Sequence, residues 1–275
     1  MRCRGHWRSG GHMDSRSGTA GEEMSRTLWI MAPIAFVAFG IEATVGFGAT
    51  VFMVTTAALF LPIDTVLPIF VPANLGLSAY LATRYFNQID RRLLLLRVIP
   101  LMAIGLPVGI ALFNLENETW LKRAFGAFVI LLAVIELVGA IRDGSPEDQG
   151  SRSRKPLIFP AEAGLLSLGG FIHGIFGSGG PIVVYVVSRR VSEKGVFRAT
   201  LAALWFVANL SLAINYALTS HLSRSTLGAS ALLLVPLAGG LAAGEWIHKR
   251  ISVAAFRVGV FAVLLIGGIL LVWKG

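Results

Sequence analysis

The residues best suited to chemistry fall in two short stretches of similar make-up. In the first, Ile41, Glu42, Ala43, Thr44 and Val45 lead into Gly46, Phe47, Gly48, Ala49 and Thr50. In the second, 131 residues later, Ile172, His173, Gly174, Ile175 and Phe176 lead into Gly177, Ser178, Gly179, Gly180 and Pro181. Glycine lets the backbone approach a ligand with no Cβ in the way. A helix that begins just after such a turn aims unpaired N–H groups and the positive end of its dipole at whatever it faces. Two such ends converging from opposite sides would hold an anion without a buried lysine or arginine. Thr50 and Ser178 would add hydroxyl donors, and Pro181 suits the first turn of the helix that follows. Gly46, Gly48, Thr50, Gly177, Ser178, Gly179 and Gly180 are therefore candidate binding residues. The plainer reading of the glycines is close helix packing. Their presence at matching places in two halves favours the ligand reading.

Asn74 and Asn209 form a second matched pair, within Ala73-Asn74-Leu75 and Ala208-Asn209-Leu210. A carboxamide inside hydrocarbon needs a partner, which is either another helix or a bound substrate; both readings stay open. Glu42 and His173 also match in position. An ionisable group within an apolar span is costly and points to function, here to proton coupling. Glu136, Glu162 and Glu245 stand near helix ends and are expected to reach water.

The elements that must carry these residues are apolar almost throughout. The 275-residue chain is 55% hydrophobic and 14% charged, with a mean hydropathy of +0.73. Soluble domains carry roughly 25% charged residues, so a bilayer is the medium that suits this chain. The formal net charge is +9, but the basic residues lie in short clusters between apolar runs. That is the pattern of a membrane protein and not of a nucleic-acid-binding patch. The one cysteine, Cys3, rules out an internal disulfide and a cysteine-based metal site. No HExxH or GxxxxGK[ST] motif occurs, so no cofactor or metal is expected.

Apolar segments are expected at 28–45, 47–61, 66–86, 93–113 and 120–140. A polar linker follows at 142–156, and then segments at 157–174, 177–189, 197–219, 226–247 and 254–273. The expected domains are a polar, disordered tail (1–26), a first transmembrane repeat (27–141), a cytoplasmic linker (142–156) and a second transmembrane repeat (157–275). Met24 is an alternative start, with residues 1–23 as an upstream extension. The second segment of each half is too short to cross a hydrocarbon core of ~30 Å. Each half therefore opens with a glycine-broken helix pair or re-entrant hairpin, followed by three crossings. Gly105 and Gly109 recur as Gly240 and Gly244, with small-xxx-small spacing that suits helix packing. An odd number of crossings per half makes the repeats inverted. Apart from Arg2, Arg4, Arg8, Arg16 and Arg26 of the N-terminal tail, which would face outward against the rule and so favour Met24 as the start, fifteen Lys and Arg residues face inward with residues 62–65 outside, and Lys122, Arg123, Arg224 and Lys274 face outward. That satisfies the positive-inside rule. Trp29, Trp120, Trp246 and Trp273 fall where interfacial anchors belong. The fold class expected is all-α integral membrane, with two inverted repeats of about five segments each.

Three stretches carry a family resemblance. They are Gly46-Phe47-Gly48, its partner Gly174-Ile175-Phe176-Gly177-Ser178-Gly179-Gly180-Pro181, and the loop Asn87-Gln88-Ile89-Asp90-Arg91-Arg92. Together they resemble the TauE/SafE family of sulfite and organosulfonate exporters over residues 28–273. The first glycine turn departs from the pattern, with Ala49 and Thr50 where further glycine or proline is usual. The resemblance implies a permease of the cell (inner or plasma) membrane, not an enzyme, that moves a small sulfur-containing anion. The expected partners are that anion, the lipid bilayer and a coupling proton or cation, with no nucleic acid. The expected mechanism is alternating access about a site between the two glycine turns. The other classes are a membrane-embedded enzyme, for which the acidic and histidine residues are too sparse, and a membrane scaffold that transports nothing.

Overall fold

The computed structural model describes residues 14–45, 47–115, 117–142, 157–191, 193–248, 250 and 253–274. Ten helices organise them, five on each side of the polar linker. The first five are α1 (Asp14–Val45), α2 (Ala49–Ala57), α3 (Ile63–Arg84), α4 (Arg91–Leu115) and α5 (Glu118–Arg142). The second five are α6 (Phe159–Phe176), α7 (Gly180–Val187), α8 (Lys194–Leu218), α9 (Arg224–Leu232 continuing as Leu234–His248) and α10 (Val253–Lys274). No strand occurs among the described residues.

Local chemistry sets the helix ends. Asp90 caps α4, its Oδ1 accepting the Leu93 N–H at 2.9 Å. Asn117 caps α5 by accepting from Trp120 at 2.9 Å, and Ser223 caps α9 by accepting from Thr226 at 3.1 Å. Each uses a short polar side chain to satisfy an otherwise unpaired N–H of a first turn. Within α4 the Ile99 N–H reaches back to the Leu94 carbonyl, which makes a π turn at Leu94–Val98. Pro100 follows directly and has no N–H to give. Pro236 likewise has no N–H to give the Leu232 carbonyl four residues back, and α9 breaks next to it at Leu233.

Among the described residues, six helices are long and apolar enough to cross a membrane, with spans at Glu22–Thr44, Ile63–Arg84, Arg91–Leu115, Phe159–Phe176, Gly195–Leu218 and Arg224–Gly244. α2 and α7 have nine and eight residues. At 1.5 Å per residue they rise only about 12–14 Å, less than half of an apolar core of ~30 Å. The chain reverses between α1 and α2 and between α6 and α7, and each short helix packs back on its long partner. Trp246 and Trp273 are well exposed near helix ends, and Trp29 is well exposed midway along α1. Leu96, Ile104, Leu131, Ile135 and Ile266 are exposed along the helix flanks, as a lipid-facing belt requires.

The helices pair across the two halves. α1 packs on α9, α4 on α6, α3 on α8 and α5 on α10. Exchanging the halves turns the first pairing into the second and leaves the other two unchanged. The match extends to single residues. A Cβ on Gly105 would lie 1.9 Å from the Ser167 carbonyl oxygen, and one on Gly109 would lie 2.1 Å from that of Phe171. A Cβ on Gly240 would lie 2.2 Å from the Phe36 carbonyl oxygen, and one on Gly244 would lie 2.4 Å from that of Gly40. Phe36 and Gly40 stand 131 residues before Ser167 and Phe171, while Gly105 and Gly109 stand 135 before Gly240 and Gly244. Each glycine pair thus receives two carbonyls, one turn apart, from the opposing helix. Thr44 adds a tie between α1 and α9. Its hydroxyl donates to the Gly40 and Gly244 carbonyls at 2.8 and 3.1 Å.

Two expectations change. Residues 14–26 form the opening turns of α1 instead of belonging to a separate tail; residues 1–13 and the linker from 143 to 156 lie outside the described residues. Glu162 does not reach water. It is 1% exposed and is clamped by Arg97 Nη1 at 3.1 Å and by the Arg190 fork, whose Nε donates at 2.7 Å and whose Nη2 bonds the other carboxylate oxygen. Two cations, one from α4 and one from the turn after α7, satisfy it where it stands, which removes the reason to reach for solvent.

Candidate functional site

The two helix breaks meet. Gly48, with φ 103°, precedes α2, and Gly177, with φ 63°, caps α6. Both occupy the left-handed region, where a side chain would strain the turn. Between the breaks lies a cavity with about 360 Å³ of empty space. Its wall comprises Glu42 at the end of α1, Phe47 and Gly48 of the first break, and Thr50 and Val51 of α2. His173 of α6, Gly177 and Ser178 of the second break, and Gly180 and Pro181 of α7 face them. Asn74 of α3 and Trp205 and Asn209 of α8 complete the lining.

Most of the residues singled out by pattern are therefore neighbours in space. Glu42, Gly48, Thr50, Asn74, His173, Gly177, Ser178, Gly180 and Asn209 share one cavity. Gly46 lies outside the described residues. Gly179 does not line the cavity. A Cβ there would fall 2.1 Å from the Gly169 carbonyl oxygen and 2.9 Å from His173 Cβ, so its role is to seat α7 against α6.

Several polar groups in this space are held ready. Asn74 Nδ2 donates to Thr50 Oγ1 at 3.4 Å, which leaves the Thr50 hydroxyl proton free to point elsewhere. Asn74 Oδ1 has no partner, and neither ring nitrogen of His173 has one. Asn74, His173 and Asn209 are 5%, 1% and 2% exposed. Unpaired polar atoms this deep are uncommon and call for a ligand, an ion or water. The His173 ring stacks on Trp205 with centroids 5.7 Å apart and planes at 18°. Ser178 turns its hydroxyl onto the Phe176 carbonyl at 3.0 Å, so its proton is spent locally. The Glu42 carboxylate receives the Ala49 N–H from the first turn of α2 and lies within the field of Arg198.

No lysine or arginine lines the cavity. The donors available to an anion are the free N–H groups opening α2 and α7, the Thr50 hydroxyl and the Asn209 amide. Such a set suits an anion held by backbone and neutral side chains at two helix starts. Discontinuous helices that present such starts near the midplane are a transporter arrangement.

The family model described as Sulfite exporter TauE/SafE matches residues 31–271. The chain belongs to the TauE/SafE family. No curated protein and no solved structure matches it. The matched stretch of this TauE/SafE protein runs from α1 to α10 and takes in every residue of the cavity. With its apolar spans, membership makes it a multi-pass membrane protein of a sulfite-exporter family.

The loop at Asn87–Arg92, which also carried the resemblance, does not line the cavity and docks on α8. Besides capping α4, Asp90 donates its own N–H to Thr200 Oγ1 of α8 at 2.9 Å, and the Arg91 guanidinium lies 4.3 Å from the Phe86 ring centroid. Sequence reasoning missed the cavity walls Phe47, Val51 and Trp205. A signal for Trp205 was present: it stands four residues before Asn209, one turn away on the same face of α8.

Proposed function

We propose that the cavity between the two helix breaks binds a small sulfur-containing anion, sulfite or an organosulfonate, and that the protein carries it across the bilayer by alternating access. The observation that carries this reading is the convergence of two short helices, each opening at a glycine turn, on one cavity with unpaired buried polar atoms and no lysine or arginine. Family membership supplies the sulfur chemistry.

The two halves are proposed to be inverted repeats, with residues 62–65 outside and the linker at 142–156 inside. The exchange-symmetric pairing of α1 with α9 and α4 with α6 supports the repeat. The bias of basic residues supports the orientation. Glu42 gives the cavity a carboxylate of its own, so an arriving anion meets like charge there. Taking up a proton at Glu42 as the substrate binds removes that repulsion and couples the two movements. His173, its counterpart in the second half, is the alternative proton carrier.

The test is flux in proteoliposomes loaded in turn with sulfite, sulfate, thiosulfate and sulfoacetate. The wild-type protein should move sulfite or sulfoacetate, and Asn209→Ala should slow it about tenfold or more, the worth of one hydrogen bond to a charged ligand. A wild-type protein that moves none of the four would overturn the reading.

A further inference from the structure

A second cavity, with about 400 Å³ of empty space, adjoins the first through Glu42 and Trp205. Ser78 and Leu81 of α3 and Arg198 and Ala202 of α8 extend its wall. Arg198 is exposed at the far end, so this space is a vestibule from one face of the molecule to the central site.

Exchanging the halves gives the vestibule a counterpart. With the offset of 131 found for α1 at the glycine contacts and of 135 between Asn74 of α3 and Asn209 of α8, Glu42 becomes His173 and Leu81 becomes Tyr216. Arg198, Ala202 and Trp205 become Ile63, Leu67 and Phe70 on α3, and Leu77 of the vestibule becomes Leu212. This second set is shut. Ile63, Leu67, Phe70, Leu212 and Tyr216 are 0% exposed. The seal lies directly on the central site. A methyl on Gly177 would meet Leu67 Cδ2 at 3.6 Å and Leu212 Cδ1 at 3.7 Å.

The shut region also contains buried polar atoms without a partner. The Tyr216 hydroxyl is one, although the ring packs against Phe113 and His221 at 5.7 and 6.2 Å. The two nitrogens of His173, where the shut set borders the central cavity, are also unpartnered. A tyrosine hydroxyl kept dry and unpaired is costly, and phenylalanine would fill the same space without the cost. The cost is accounted for when the group meets water and substrate in another state of the protein.

We propose that Leu67 and Leu212 form the gate, and Tyr216 the lining, of a second access route to the central cavity, on the face opposite Arg198. The structure holds the Arg198 route open and this one shut. The inference rests on the transport reading, since a second route has a use only where substrate passes through.

The experiment measures sidedness of access, which does not depend on knowing the substrate. In a Cys3→Ser background, Ser78→Cys and Leu212→Cys are each placed in sealed vesicles. A membrane-impermeant maleimide is added to one face at a time. Ser78→Cys should react at least tenfold faster from the Arg198 face, and Leu212→Cys at least tenfold faster from the opposite face. Leu67→Cys repeats the second measurement should Leu212→Cys fail to elute as folded protein. A gate cysteine in folded protein that is unreactive from the opposite face, or that reacts from the Arg198 face, overturns the proposal. Tyr216→Phe adds a second readout. Flux should fall at least fivefold with the melting temperature unchanged or raised, and unchanged flux removes Tyr216 from the route. Failure of the wild-type protein to move any sulfur anion would instead strike the transport reading and leave the labelling pattern to be judged by itself.

Discussion

Gly179 and Gly180 are adjacent, yet they should respond oppositely to the same substitution. At Gly180 a Cβ would meet the Trp205 ring carbons at 3.7 and 3.9 Å, ordinary contact distances, and the backbone there is not left-handed. Gly180→Ala should therefore fold as well as the natural protein. Restricting the unfolded chain favours it by about 0.4–1 kcal/mol. The new methyl would nevertheless enter the cavity wall beside Trp205, at the residue that opens α7. Losing one hydrogen bond to a charged ligand costs about 1.5–3 kcal/mol, which is roughly a ten- to hundredfold loss of apparent affinity for sulfite. At Gly179 the Cβ would fall 2.1 Å from a backbone oxygen of α6, which no rotamer change relieves. Gly179→Ala should lose about 1–3 kcal/mol of stability or more. The assay pairs thermal melting in detergent with sulfite flux in proteoliposomes, normalised to folded protein. Wild-type affinity and flux in Gly180→Ala would remove the start of α7 from the site. A Gly179→Ala protein that melts with the wild type would refute the packing argument.

Glu42→Gln should uncouple proton movement from sulfite movement while sulfite exchange persists, read with a pH-sensitive dye inside the vesicles; proton uptake that still accompanies sulfite would rule Glu42 out as the carrier. Glu162→Gln keeps the shape of the side chain but leaves Arg97 and Arg190 without their carboxylate. It should cost about 1.5–3 kcal/mol, seen as a lower melting temperature with flux per folded molecule retained. Gly105→Ala and Gly240→Ala should destabilise by similar amounts, because each drives a methyl into a carbonyl at 1.9 or 2.2 Å. Unequal melting losses would show that the two packing seams are not equivalent.

Much of the candidate site could be read from the chain because its chemistry is local. A glycine turn, the ionisable residue four or so positions before it and the helix start after it all lie within ten residues of sequence. The matching of short stretches between the two halves then marked which of many glycines to follow. Asn74 and Asn209 were legible for the same reason, as polar residues that recur at equal spacing in apolar helices. What stayed hidden depends on contacts between distant segments. Glu162 looks like any carboxylate near a helix end until Arg97 arrives from α4 and Arg190 from the turn after α7. Gly179 and Gly180 cannot be told apart in sequence, and only the position of Gly169 separates them. Phe47 and Trp205 resemble the other aromatics of an apolar chain until the cavity is seen. α1 begins earlier than expected because polarity marks where a helix leaves the apolar phase, not where it stops being a helix.

The glycine seams also bear on how the protein is made. Both join helices from opposite halves, and Thr44 reaches a carbonyl 200 residues further along the chain. As the ribosome delivers the first five helices, the small-residue face of α4 has no partner until α6 emerges, and that of α1 waits until α9. The first half is therefore an unfinished object in the membrane, dependent on the second for its closest contacts. A break in the polar linker, by contrast, severs no seam. Two separately synthesised halves, cut between residues 143 and 156 and expressed together, should find each other and assemble, while neither alone should persist in the cell.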